Sequence, residues 1–290
     1  MMRSEREMRS IILEMAESDD RIRSVILNGS RANPHAPRDP FQDFDIVYIV
    51  TDVESFRRNP EWIRRFGEIM ILQTPEDMHS PPPAKDGSYA YLVQFMDGNR
   101  LDLTLYPISR LDTMHRASLS ILLLDKDGLL EPFPPPSECD YLPEPPTAKA
   151  FADCCNEFWW ICTYVAKGLW REQLVYARHM LEQIARDQLE QVLTWHVGVQ
   201  TRFRISLGSY GKNLEQHLEP ELWDMLLETY SDACYDHTWD ALFAMCDLFR
   251  RVARPTAAEL GFTYPFGDDE RVSAHLSHVR SLPKTAKRIS

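Results

Sequence analysis

Seven prolines fall within residues 132–146, PFPPPSECDYLPEPP, and neither a helix nor a paired strand can run through such a stretch. Proline fixes φ and lacks an N–H, so this segment must be an extended connector. The residue patterns on its two sides differ in kind. Strand and helix patterns alternate before it, and nearly every segment after it has helical periodicity. The architecture expected is α+β, with a mixed sheet and flanking helices over residues 1–135 and a C-terminal helical bundle over 147–290.

Within the first half, residues 4–18 place Met8, Ile11, Ile12 and Met15 on one helical face. Ser24 to Leu27 is a short strand ended by Asn28-Gly29, and residues 44–50 (FDIVYIV) form a stronger one. Residues 53–66 read as helix and 68–73 as strand. Tyr89–Met96 and Arg100–Ile108 flank Asp97-Gly98-Asn99, a hairpin signal. In the second half, Thr147 is a candidate N-cap for a helix reaching about Lys167, where Gly168 would end or bend it before Arg171. Further helices are expected over 170–200, 220–230 and 235–254, and nothing is assigned beyond about residue 255.

The formal charge is −12. Proteins that grip nucleic acid present basic faces, so a nucleic-acid partner is not expected. An acidic surface instead concentrates cations, whether metal ions or a polycationic small molecule. The six cysteines lack C-x-x-C pairs or zinc spacing and read as reduced thiols. The N-terminus, MMRSEREMRS, is charged where a signal peptide is apolar, and no apolar run is long enough to span a membrane. A soluble, cytoplasmic monomer is expected. His179, His196 and His217 lack histidine partners at i, i+4, and Asp125-Lys126-Asp127-Gly128 lacks the closing glutamate of a calcium loop. Trp159, Trp223 and Trp239 read as core.

Three features carry chemistry. Gly29-Ser30-Arg31 follows a strand directly, where glycine lets backbone N–H groups approach a phosphate and serine adds a hydroxyl. Asp43-Phe44-Asp45 enters the most apolar strand, and alternation puts the two carboxylates on one face. Asp102 lies mid-strand in LDLTLY, opposite a row of leucines, where strand propensity disfavours it. Alone, each has a plainer reading as a turn, a solvated strand end or a polar edge strand. Together they describe carboxylates around one or two Mg²⁺ ions beside a phosphate-cradling turn, an arrangement that activates a hydroxyl and steadies a leaving pyrophosphate.

The order G-S…D-x-D…D resembles the DNA polymerase β nucleotidyltransferase superfamily. More closely, LNGSRAN, FQDFDI, DGNRLDLTL and CCNEFWW…YVAKGL resemble the aminoglycoside 6-adenylyltransferases that inactivate streptomycin. That resemblance spans most of the chain. It implies a nucleotidyltransferase sheet in the N-terminal domain and Mg²⁺-dependent transfer of AMP from ATP to the 6-hydroxyl of streptomycin, releasing pyrophosphate and giving antibiotic resistance. It assigns metal ligation and catalysis to Asp43, Asp45 and Asp102, and phosphate contact to Ser30 with Gly29.

The helical half offers a stripe at steps of three and four: Asp153, Glu157, Trp160, Tyr164, Lys167 and Arg171. Its acidic and aromatic start suits the guanidinium or ammonium groups of an aminoglycoside, with Asp153, Glu157, Trp160 and Tyr164 as substrate contacts. Its basic end, Lys167 and Arg171, suits the triphosphate, as do Lys212 in the loop GSYGKN and Arg31 beside Ser30. The alternatives are a nucleotidyltransferase acting on a protein or RNA, and an inactive nucleotide-binding regulator. The intact set of three aspartates weighs against the latter.

Overall fold

A computed structural model describes residues 2–80 and 86–289. The chain divides into two units, Met1–Asp140 and Tyr141–Ser290, with the boundary inside the proline-rich stretch. None of the described helices is long and apolar enough to cross a membrane.

Ser4 sets the start of α1 (Glu5–Ser18). Its hydroxyl accepts from the Glu7 N–H at 3.3 Å while the Glu7 carboxylate accepts from the Ser4 N–H at 2.7 Å, a reciprocal cap. The helix then presses Met8, Ile12 and Met15 onto one face of a six-stranded sheet. Its strands are β1 (Ile22–Asn28), β2 (Phe44–Val50), β3 (Ile69–Gln73), β4 (Tyr89–Phe95), β5 (Arg100–Pro107) and β6 (Ser120–Asp125), in the order β3-β4-β5-β2-β1-β6. Every neighbouring pair is antiparallel except β2 and β5, which run parallel at the centre. Phe44, Ile46 and Tyr48 of β2 join Leu101, Leu103 and Leu105 of β5 in the core under α1. The Tyr48 hydroxyl donates to the Ile12 carbonyl at 2.6 Å and so ties the sheet to the helix.

Two expectations for this unit change. Residues 53–66 are not one helix: α2 (Val53–Arg57) stops, and a 3₁₀ stretch, Pro60–Phe66, follows. Pro60 disfavours helical backbone at Asn59, which sits at φ −132°, ψ 77°. Strand β6, SILLLD, is an additional element that periodicity does not mark, because its continuous apolar run lacks alternation. The turn after it serves structure, since Asp125 accepts from the Ser24 hydroxyl and the Leu130 N–H while Asp127 pairs with Arg23.

The second unit contains helices only among its described residues. Helix α3 (Ala148–Trp170) starts at Thr147, whose hydroxyl accepts from the Ala150 N–H at 3.1 Å. The helix continues two residues past Gly168. A Cβ there would lie 2.9 Å from Tyr176 Cδ1 and 3.0 Å from Ala177 Cβ, so the glycine lets α4 (Leu174–His179) pack closely. A π-helical turn, Met180–Ala185, joins α4 to α5 (Arg186–Thr201). After α6 (Pro220–Glu228), helix α7 (Tyr235–Leu260) runs through Pro255. Burial of Val252, Ala253, Thr256 and Ala257 outweighs the hydrogen bond that proline forfeits. Helix α8 (Phe266–Ser281) then returns against α3.

Asp269 locks α8 to α7. It is 1% exposed and accepts from Arg250 Nη2 at 2.6 Å, Arg254 Nη2 at 3.0 Å, the Tyr264 hydroxyl at 2.9 Å and the Ser273 hydroxyl at 3.1 Å. Burial by itself would raise this carboxyl, but Arg250, Tyr264 and Arg254 outweigh it and hold the group below the usual carboxylate range. Its stabilisation is therefore complete above the ordinary aspartate value of about 4 and disappears as the pH falls through the lower folded value. Asp269→Asn should destabilise the helical unit by about 3–5 kcal/mol at neutral pH. In thermal melts followed by circular dichroism, the gap between variant and wild type should close under acid.

Candidate active site

Parallel pairing sets Asp45 of β2 directly beside Asp102 of β5, as Cα partners. Alternation buries their neighbours Phe44, Ile46, Leu101 and Leu103 under α1 and turns both carboxylates to the opposite face. Asp43 stands just ahead of β2, on a loop that Arg31 fixes. The Arg31 guanidinium lies 3.8 Å over the Phe44 ring and donates to the carbonyls of Asp43 at 3.0 Å and Gln42 at 2.7 Å, with Glu5 at 3.1 Å as its counter-ion. The Arg31 guanidinium, expected among the phosphate contacts, is buried and engaged by these carbonyls.

Arg100 lies among the carboxylates. Its Nε and Nη2 each donate to Asp102 at 2.8 Å, and Nε lies 3.6 Å from Asp43 Oδ2. One cation for three anions leaves a surplus of negative charge. Burial, then the charges of Asp102 and Asp43, push the Asp45 carboxyl up to about 6, and burial raises Asp43 as well. Arg100 follows from alternation, being two residues before Asp102 on the same strand, but the sequence reading gave it no role.

The turn at Gly29 closes the arrangement. Gly29 has φ +71°, and a Cβ built there would collide with Asp45 Oδ2, so only glycine leaves room for that carboxylate. Its N–H donates to the Leu119 carbonyl at 3.1 Å. Gly29 thus contributes clearance, and Ser30 stands half-buried in the same turn.

A family model described as Streptomycin adenylyltransferase matches residues 2–279. The chain belongs to the streptomycin adenylyltransferase family. Aminoglycoside 6-adenylyltransferases of Bacillus subtilis and Campylobacter jejuni are 41% and 42% identical to it over 270 residues, spanning 92% and 93% of this chain and 95% and 93% of theirs. A solved aminoglycoside 6-adenyltransferase from Bacillus subtilis is 37% identical, with a TM-score of 0.49, and the match covers 97% of this chain and all of that one.

In this adenylyltransferase the donor set of Asp43, Asp45 and Asp102 is all carboxylate oxygen, which suits a hard divalent cation. Burial raises Asp45 most, and the surplus charge of Asp102 and Asp43 that adds to it is what such a cation would neutralise. The three are spread around Arg100. Among the described residues, the set whose ligand atoms all lie within 4.8 Å of one another is instead Asp232, Cys234 and His237, exposed at the start of α7. There Asp232 accepts from the Cys234 N–H at 2.8 Å and pairs with His237 at 2.9 Å, which accounts for the set as part of the helix start.

The residues expected from the helical half fall into three places. Asp153 pairs with Lys149 one turn back, on an exposed face of α3. Glu157 is half-buried, and Trp160, 56% exposed, lies 5.9 Å from the Tyr164 ring. Tyr164, Lys167 and Arg171 line one cavity of about 380 Å³ together with Trp170 and His275, and Lys167 Nζ lies 4.2 Å over the Tyr164 ring. Lys212 is exposed in the loop after α5, where it packs against Gly208.

Gly29→Ala tests the crowding at the turn. Its methyl group must displace Asp45, so adenylyl transfer should fall on the order of a hundredfold while circular dichroism of the folded protein is unchanged. Activity close to wild type would show that Asp45 can move without cost.

Proposed function

We propose that this enzyme transfers AMP from ATP to a hydroxyl of an aminoglycoside, the 6-hydroxyl of streptomycin, with release of pyrophosphate, and so confers resistance to the antibiotic. The observation that carries the reading is the Asp45–Asp102 pair, beside Asp43 and the Gly29-Ser30 turn. The acceptor is supported by the names of relatives that match over more than nine-tenths of the chain.

Asp43, Asp45 and Asp102 would hold Mg²⁺, which when bound makes the acceptor hydroxyl more acidic and offsets charge on the pyrophosphate. The Ser30 N–H and hydroxyl donate to the transferred nucleotide's phosphates. Arg100 balances part of the carboxylate charge and keeps Asp102 oriented. Arg31 holds the backbone of Asp43 in place, so that its carboxylate is positioned before either substrate arrives. Lys167, Arg171 and Lys212 serve the nucleotide phosphates as exposed cations. Glu157, Trp160 and Tyr164 offer an acidic and aromatic surface to the antibiotic, with Asp153 able to join by exchanging Lys149 for a substrate cation.

Purified protein given Mg²⁺, ATP and streptomycin should release pyrophosphate, and Asp43→Asn should lower the rate by on the order of a hundredfold or more. Absence of streptomycin-dependent pyrophosphate from the wild type, across a panel that includes other aminoglycosides, would remove the substrate assignment. Full activity in Asp43→Asn would remove the roles given to the aspartates.

A further inference from the structure

A cavity of about 450 Å³ opens in the helical unit, walled on one side by α5 and on the other by α6 and the loop at Gly208–Gly211. The α5 wall presents Asp187, Glu190, Gln191 and Thr194, steps of three, one and three that form a single stripe along the helix. Trp223, Tyr230 and Tyr210 face it. Tyr210 is fully exposed and held at φ +55°, a backbone state that non-glycine residues seldom adopt.

The charge of this cavity is one-sided. None of its lining residues is basic, and among the described residues neither Asp187 nor Glu190 has an ion-pair partner. Lys212 packs against Gly208 at the loop, and Arg186, the cation whose charge acts on Glu190, is buried and committed. It pairs with Glu182 at 2.8 Å, donates to the Thr229 hydroxyl at 2.9 Å and carbonyl at 3.1 Å, and covers the Tyr230 ring at 3.9 Å. Burial raises the Glu190 carboxyl above its usual range against the pull of Arg186, with Asp187 adding to the rise. Two carboxylates short of counter-charge, facing aromatic rings across a concave surface, match a polar ligand that carries guanidinium or ammonium groups on a ring scaffold. On α3, by contrast, Asp153 already has Lys149 as its partner.

We propose that this cavity is the subsite for the cationic groups of the aminoglycoside, with Asp187 and Glu190 as its specificity-determining residues and Trp223 and Tyr230 as its aromatic walls. The assignment rests on the acceptor proposed above.

The test compares wild type with Glu190→Gln and with the double variant Asp187→Asn/Glu190→Gln, using streptomycin as probe. Each lost charged hydrogen bond costs about a factor of ten in binding, so KM for streptomycin should rise about tenfold in the single variant and further in the double. KM for ATP should stay within about twofold. Titration calorimetry of streptomycin without ATP should show the same loss, independently of turnover. Wild-type turnover with variants whose KM and calorimetric affinity are unchanged would overturn the subsite and leave the reaction standing. No streptomycin turnover by the wild type would overturn the acceptor itself. If Glu190→Gln melts early, Trp223→Phe, which keeps the aromatic face, should retain the wild-type KM while Trp223→Ala raises it; equal values for these two would also overturn the proposal.

Discussion

Two like charges held side by side on adjacent central strands are the constraint around which the N-terminal unit is organised. Strand β2 meets β5 in parallel, so the chain must travel through α2, β3 and β4 before it can return to pair. That excursion brings Asp102 into register with Asp45 rather than with a neutral residue. Each nearby feature then answers the repulsion or the crowding that results. Arg100 supplies one positive charge, Gly29 gives up its side chain, and Arg31 anchors the preceding loop through carbonyls instead of competing for the carboxylates. A sheet that only had to be stable would put a threonine or valine at these positions.

Asp269 shows the opposite solution to the same problem. Asp269 is buried and Asp45 half-buried, yet Asp269 receives donors from four side chains and is held below its ordinary pKa, whereas Asp45 is raised to about 6. A saturated carboxylate fastens helices together and has no capacity left for a ligand. An unsaturated one costs stability in the free protein and keeps its lone pairs available. Burial and charge alone thus separate a saturated carboxylate from an unsaturated one within one chain.

Sequence periodicity was sufficient for the parts of the fold whose residues alternate or repeat cleanly. The LDLTLY and FDIVYIV strands gave both the core face and the carboxylate face, because a period of two leaves no other arrangement. The proline stretch gave the division into units. Periodicity failed where one residue overrode its neighbours, as Pro60 does in the expected second helix, and where an apolar run carried no phase, as in β6. Helix α8 carries almost no amphipathic signal and is fixed by Asp269 and by packing on α3, which are tertiary effects. For the site, the three aspartates and the glycine turn were legible from residue type. The duty of Arg31 was not, since it depends on which carbonyls lie within reach. The α5 cavity was equally hidden, because its walls come from three separate segments of the chain.

The π-helical turn at Met180–Ala185 has its effect downstream. Each residue advances an α-helix by about 100°, and a wide turn of this kind changes the phase of everything that follows it. Removing one residue there would restore a regular helix and rotate Asp187, Glu190, Gln191 and Thr194 together away from Trp223 and Tyr230. A deletion that tidied the hydrogen bonding of this helix would thus leave every side chain of the acidic wall present in the sequence and facing the wrong way.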